Sequence, residues 1–337
     1  MRRCASPRVE IVLSPGHVNR CAAGRAQVSF RFAMRETAPR DLPGIPLWAH
    51  ARARSVALPV RLTLLGVRGS TPAPGAEFLR YGGHTSCVAV ARESEPPTLI
   101  LDAGTGLRAL STLLDGQAFS GSILLGHLHW DHTMGLPFCP AVDNTNSRVD
   151  LRVPAQGDIE AILERWMAPP HFPITPLQLR GHWTFEGLEE GTHKFEGFEV
   201  LAREIPHKGG RTFGFRVSDG HHAFAYMSDH CPTVFGPGPS GLGELHEAVM
   251  ALCEGCDLLI HDAQYLDEEL PARADFGHAA AGYAVELAAA ASVPRVLLFH
   301  HDPPRTDDQL DDLVARYSSS AVEVIGARQG TIIDLSD

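Results

Sequence analysis

Residues 127–132 read His-Leu-His-Trp-Asp-His, with imidazoles at i, i+2 and i+5 and a carboxylate at i+4, directly after an apolar run. Irregular backbone at a strand end frees such side chains from helix and sheet directions, so all four can converge. Imidazole nitrogen and carboxylate oxygen suit Zn²⁺, with Mn²⁺ or Fe²⁺ as alternatives. Four ligand-type residues among six are dense even for a chain with 18 histidines. A metal site at His127, His129, Asp131 and His132 is therefore expected, in preference to a solvated histidine cluster.

The elements that must hold this loop follow from the hydrophobic pattern. From Val60 onward, short apolar runs separated by Gly, Pro and Asp alternate with helical stretches, the signature of an α/β chain. Strands are predicted at 60–67, 86–91, 98–101 and 122–125, with a helix near 107–114. Further strands are predicted at 198–205, 213–217, 223–227, 258–261 and 296–300, the third and second of these joined as a hairpin across Ser218-Asp219-Gly220. Helices are expected near 244–252, 278–291 and 307–317, and short strands near 322–325 and 330–334. No repeat at solenoid spacing occurs.

The 337 residues, 44% hydrophobic and 20% charged, can bury a large core and exclude disorder, collagen and coiled coil. No run of about 18 apolar residues occurs, since Glu286 interrupts the alanine-rich stretch, so no membrane span is expected. The net charge of −11 argues against broad binding of nucleic acid. Residues 1–59 differ in kind, with ten arginines, no lysine and three acids. They read as an extension, either a targeting segment or sequence upstream of a later start such as Met34, and are expected to be poorly ordered. The predicted catalytic domain is 60–337. Seven scattered cysteines favour a reducing compartment, the cytoplasm, without disulfides. Cys253 and Cys256 read as buried thiols.

The run at 127–132 resembles the HxHxDH hallmark of the metallo-β-lactamase superfamily, and the likeness covers about 60–337. Within it the chain looks most like the phosphodiesterase branch, which includes ribonuclease Z, cyclic-nucleotide phosphodiesterases and the phosphonate-pathway cyclic phosphodiesterase. The segments that carry this are Gly66-Val67-Arg68-Gly69-Ser70-Thr71-Pro72, Leu99-Ile100-Leu101-Asp102-Ala103-Gly104, Pro206-His207, Ser228-Asp229 and Phe299-His300-His301-Asp302-Pro303. The resemblance implies a four-layered αβ/βα sandwich with metals at the edge between two sheets. It implies two divalent ions, the first bound by His127, His129 and His207, the second by Asp131, His132 and His300, with Asp229 bridging both. His300 is favoured over its neighbour His301, because only one of the pair can follow the strand direction into the site. His278, in a Gly-His context expected to begin a helix, is placed as a substrate-facing acid or phosphate contact. Asp102 is expected to orient the ligand loop, and His261-Asp262 to give structural support.

The implied reaction is phosphodiester hydrolysis by a metal-bridging hydroxide, with Asp131 and His278 catalytic. Only 22 positions separate His207 from Asp229, too few for the long arm with which many ribonuclease Z enzymes hold tRNA. A small cyclic or nucleotide phosphodiester is therefore preferred to extended nucleic acid. Two departures from the family pattern, Gly126 before the first ligand and His84 where Asn is common, bear on pocket detail. The competing readings are an acyl hydrolase acting on a lactone, thioester or β-lactam, and a metal-binding accessory without turnover. The stretch 136–196 is left undivided. Its segment from Trp166 to Pro173 is read as ordinary packing in preference to an apolar lid. The resemblance also admits a homodimer.

Overall fold

The computed structural model describes residues 60–93 and 95–336; the expectations for residues 1–59 lie outside them. The first sheet is built from β1 (Val60–Gly66), β2 (Cys87–Arg92), β3 (Leu99–Leu101), β4 (Ser120–Leu124), β5 (Arg148–Pro154) and β6 (His182–Leu188). The second uses β7 (Gly191–Phe195), β8 (Phe198–Glu204), β9 (Phe213–Ser218), β10 (Ala223–Met227), β11 (Leu258–Asp262), β12 (Arg295–Phe299) and β13 (Glu323–Gly326). The last strand, β14 (Ile332–Leu335), returns to the first sheet beside β1.

The two sheets follow one plan. In order β14-β1-β2-β3-β4-β5-β6, the first three pairings are antiparallel and the last three parallel. In order β7-β8-β9-β10-β11-β12-β13, the same three-and-three division recurs. Open α/β sheets bind ligands beyond the carboxyl ends of their parallel strands. Here β3 and β4 of one sheet, and β10, β11 and β12 of the other, all run into candidate site residues.

Apolar side chains from both sheets, among them Leu62, Val88, Leu101, Phe213, Tyr226, Ile260 and Phe299, form one buried cluster between them. A second cluster lies where helices 247–253, 281–290 and 307–316 cover the second sheet. A third lies where helices 110–113 and 159–164 cover the first. Helix, sheet, sheet, helix is the predicted four-layered sandwich. The central strands are buried on both faces, which explains why they read as short continuous apolar runs and not as alternation.

The differences from expectation are local. The helix predicted near 107–114 is a 3-10 segment, Thr105–Ala109, running into a single α turn at Leu110–Leu113. The helix predicted from His278 begins at Ala281, because left-handed Gly277 (φ 92°) and the bridge between Tyr265 and Ala280 hold 278–280 as irregular backbone. Strands β5, β6 and β7 fill the undivided stretch. Met167 is buried, as ordinary packing requires, whereas His171 and Phe172 line an open cleft. Cys253 and Cys256 are buried, and burial pushes both thiols well above the usual range, Cys256 to about 12. Among the described residues, no helix is long and apolar enough to cross a membrane.

Candidate metal centre

The run 127–132 leaves the end of β4 and closes as one helical turn, Trp130–Thr133, with His129 at its N-cap. That turn sends Asp131 and His132 one way while His127 and His129 stay on the extended segment before it. From the second sheet come His207, just past β8, Asp229, just past β10, and His300, just past β12. His300 and Asp102, each one residue beyond a parallel strand, have φ of 56° and 58°. Left-handed backbone costs a non-glycine residue about 1–2 kcal/mol, and here it turns each side chain toward the loop that follows β4.

Two sets of donor atoms share Asp229, and a third group, Asp262, His278 and His300, adjoins the second through His300. In the first, His207 Nε2 lies 3.3 Å from His129 Nδ1 and 3.6 Å from Asp229 Oδ2, and His127 Nε2 lies 3.7 Å from that same oxygen. In the second, His132 Nε2 lies 3.1 Å from Asp131 Oδ2 and 3.0 Å from Asp229 Oδ1. His300 Nε2 lies 3.1 Å and 3.3 Å from the same two oxygens. A tetrahedral zinc with bonds of about 2.0–2.1 Å separates its donors by about 3.3 Å. Both sets have that spacing, and Asp229 offers one oxygen to each.

The supporting hydrogen bonds fix which nitrogen faces inward. His132 Nδ1 donates to Asp102 Oδ2 at 2.8 Å, His207 Nδ1 to the Gly277 carbonyl at 2.6 Å, and His300 Nδ1 pairs with Gln264 Oε1 at 3.0 Å. Each leaves its Nε2 lone pair for the cluster, the arrangement that metal-binding imidazoles need. Asp131 Oδ2 also accepts from the Ser70 amide at 2.7 Å. Gly69 has no side chain for want of room, since a Cβ there would lie 2.4 Å from His300 Nδ1.

Both nitrogens of His127, His132 Nε2 and Asp229 Oδ1 are buried without a hydrogen-bond partner. Buried polar atoms left so are costly; cations at the two donor sets would satisfy one nitrogen of His127, His132 Nε2 and Asp229 Oδ1. Burial, reinforced by the charge of His132, holds His127 well below the usual imidazole range. Burial works against ionising Asp229 and Asp131, but His132 and the neighbouring imidazoles outweigh it and hold both carboxyls well below their usual range. His132 itself is pushed up, against its burial, by Asp131, Asp229 and Asp102. Without metal, a proton on His132 serves the negative charge that a cation would otherwise neutralise. A divalent metal fits these residues.

Asp102 is fully buried and saturated, accepting from His132, from Tyr226 Oη at 2.7 Å and from the Gly126 amide at 2.7 Å. It ties the ligand loop to β10 of the opposite sheet. Asp102→Asn replaces an acceptor oxygen by a donor amide facing one of these donors, and is expected to weaken zinc binding about 10–100-fold. Competition with a chromogenic chelator measures this; unchanged affinity would show that Asp102 does not orient His132.

His278 lies at the edge of the cluster. Its Nδ1 is 2.9 Å from Asp262 Oδ2 and 3.7 Å from Asp229 Oδ2, and its ring stacks on His300 at 4.9 Å. Asp262, at the end of β11, also accepts from the amides of His230 and Gln264, so the carboxylate that holds His278 is itself fixed. His301 faces away, its Nε2 on the Ala327 carbonyl at 2.8 Å, and burial lowers it to about 3. His84 pairs with Thr105 Oγ1 at 3.1 Å and stands outside both donor sets. Sequence reading gave no role to Gln264, Ser70 or Trp130. Only the nearness of Gln264 to the end of β11 and of Ser70 to the end of β1 could have suggested them.

A cleft of ≈ 420 Å³ opens over the donors, lined by His129, Asp131, His207, Asp229 and His278, with Trp130, Tyr265 and Phe276 among its walls. Trp130 and Phe276 are 67% and 68% exposed. The segment from Lys208 to Ser228 folds into the β9–β10 hairpin, without a protruding arm.

Comparison with known proteins agrees with this architecture. The chain is 26% identical over 284 residues to ribonuclease Z of Salinibacter ruber, covering 72% of this chain and 86% of that one. In structure it is similar to the metallo-beta-lactamase fold protein YhfI of Bacillus subtilis, at a TM-score of 0.58 and 19% identity, covering 82% of this chain and 100% of that one. It is likewise similar to the short form of human tRNase Z, at 0.56 and 21%, covering 81% and 98%. The Beta-lactamase superfamily domain matches residues 98–301, from the start of β3 to just past β12. That span is more than half of the chain and contains every residue of both donor sets, so the protein belongs to the beta-lactamase superfamily.

Proposed function

We propose that the protein is a dinuclear metal-dependent hydrolase that cleaves a small phosphodiester. The observation that carries this reading is the division of Asp229 between two donor sets. His127, His129 and His207 would hold one ion with Asp229 Oδ2, and Asp131, His132 and His300 the other with Asp229 Oδ1. Five imidazoles and two carboxylates make a borderline donor set that suits zinc. Two such ions supply Lewis-acid polarisation of a phosphoryl oxygen and an activated water at neutral pH.

The chain's own residues do the rest. Asp131, held by the Ser70 amide, and Asp229 keep their negative charge directed at the centre. His278, oriented by Asp262, is placed to give a proton to the departing oxygen. Trp130, Tyr265 and Phe276 border the cleft and limit water around the ester. A cleft of ≈ 420 Å³ takes a ligand of nucleotide size, and the absence of an arm between His207 and Asp229 favours such a ligand over a folded RNA. Relatives named ribonuclease Z support phosphodiester chemistry in preference to acyl transfer.

Hydrolysis of bis-p-nitrophenyl phosphate by the zinc-loaded full chain, beside nitrocefin, tests the reading. Turnover of the diester without the lactam is expected. Turnover of the lactam alone would assign an acyl hydrolase, and turnover of neither, with zinc bound, a non-catalytic metal protein.

A further inference from the structure

A second cleft, of ≈ 570 Å³, adjoins the first, and Trp130 lines both. Trp130 follows His129 and precedes Asp131 in the chain, so the two clefts meet at a residue flanked by two donors. Among the described residues the other walls are Phe138, Trp166, His171 and Phe172, with Met134 the single aliphatic contributor. Phe138 is 53% exposed and meets Phe172 edge to face at 5.7 Å between ring centres. Arg165 reaches the rim, and its guanidinium makes no hydrogen bond or ion pair among the described residues.

Exposed aromatic groups concentrated in one cleft are uncommon on a soluble protein without a ligand to cover them. Their chemistry chooses among occupants. An alkyl chain is served by branched aliphatic walls, which are missing among the described residues. Flat rings present π faces that stack on another flat ring, worth about 1–3 kcal/mol for each base stacked. A guanidinium beside them adds stacking and pairs with an anionic substituent.

We propose that this cleft is a subsite for a flat ring system carried by the substrate, a nucleobase or similar group, stacked among Trp130, Phe138 and Phe172 while its phosphate lies over the donor cluster. The proposal rests on the phosphodiesterase reading for what lies over that cluster, and it selects among small phosphodiesters those that bear a planar ring.

Calorimetric titration of the zinc-loaded full chain with adenosine 5′-monophosphate, ribose 5-phosphate and octyl phosphate tests it without turnover. The adenine nucleotide is expected to bind about tenfold tighter than ribose 5-phosphate, in line with stacking of one base. Phe138→Ala and Arg165→Gln, both at exposed positions, are each expected to shrink that ratio severalfold. Equal affinity for nucleotide and sugar phosphate, or tighter binding of octyl phosphate, would overturn the subsite. So would a nucleotide preference that neither substitution changes. A ratio of about ten that falls in the variants, in a protein inert toward bis-p-nitrophenyl phosphate, would uphold the subsite and reject the reaction. Turnover of that diester with no preference for the nucleotide would do the reverse.

Discussion

Asp229→Ala is expected to abolish turnover of bis-p-nitrophenyl phosphate, with kcat/KM falling by about 10³-fold or more. The reason lies in the sharing. Asp229 is the residue common to the sets of His127 and of His132: it faces His127 and His207 with Oδ2 and His132 and His300 with Oδ1. Its loss weakens both sets together. Transition-state charge stabilisation of several kcal/mol, of the kind a bound metal supplies, corresponds to at least this factor. Metal analysis after desalting should show the wild-type chain with two zinc ions and the variant with one or none. A variant that keeps two ions and most of its activity would remove Asp229 from the bridging position.

His278→Ala is expected to cost about 10²–10⁴ in kcat when the leaving group is an alkoxide, the range of general acid catalysis. With p-nitrophenolate the cost should be small, because that anion departs without a proton. The geometry gives the reason. Asp262 accepts from Nδ1 at 2.9 Å, which leaves the other ring nitrogen as the one able to serve the ester. A role confined to packing, through the stack on His300, would slow both kinds of substrate alike. The measurement is the ratio of kcat for a cyclic nucleotide to kcat for methyl p-nitrophenyl phosphate, in wild type and variant. A ratio unmoved by the substitution would deny His278 the proton transfer.

Much of this arrangement was legible in the sequence because it depends on local signals. Residues 127–132 bring four candidate ligands within six positions, and the strands that end at Asp102, Asp229 and His300 are short apolar runs with sharp ends. The stretch 136–196 was not legible for a physical reason. In β6 and β7 exposed and partly covered positions alternate, and polar residues such as His182, Thr184, Glu186 and Lys194 occupy much of them. These strands close the outer edges of their sheets, where the apolar excess that marks a central strand is not required. The partners of the site were hidden by distance along the chain. Tyr226 reaches Asp102 across 124 positions through the packing of the two sheets, and Gln264 reaches His300 across 36 through the parallel pairing of β11 with β12. His278 was expected at a helix start, and local pattern did not reveal that the bridge between Tyr265 and Ala280 delays the helix by three residues.

The donors are drawn from two sheets, His127, His129, Asp131 and His132 from the first and His207, Asp229 and His300 from the second. Each ion held in such a centre would act as a rivet between halves that also meet through apolar contact and through hydrogen bonds such as Tyr226 to Asp102 and the Phe213 amide to the Gly126 carbonyl. A ligand that binds only the folded state stabilises it by RT ln(1 + [L]/Kd), so every tenfold rise in free metal above Kd adds about 1.4 kcal/mol for each ion. In such a centre, conformational endurance and metal supply become a single variable.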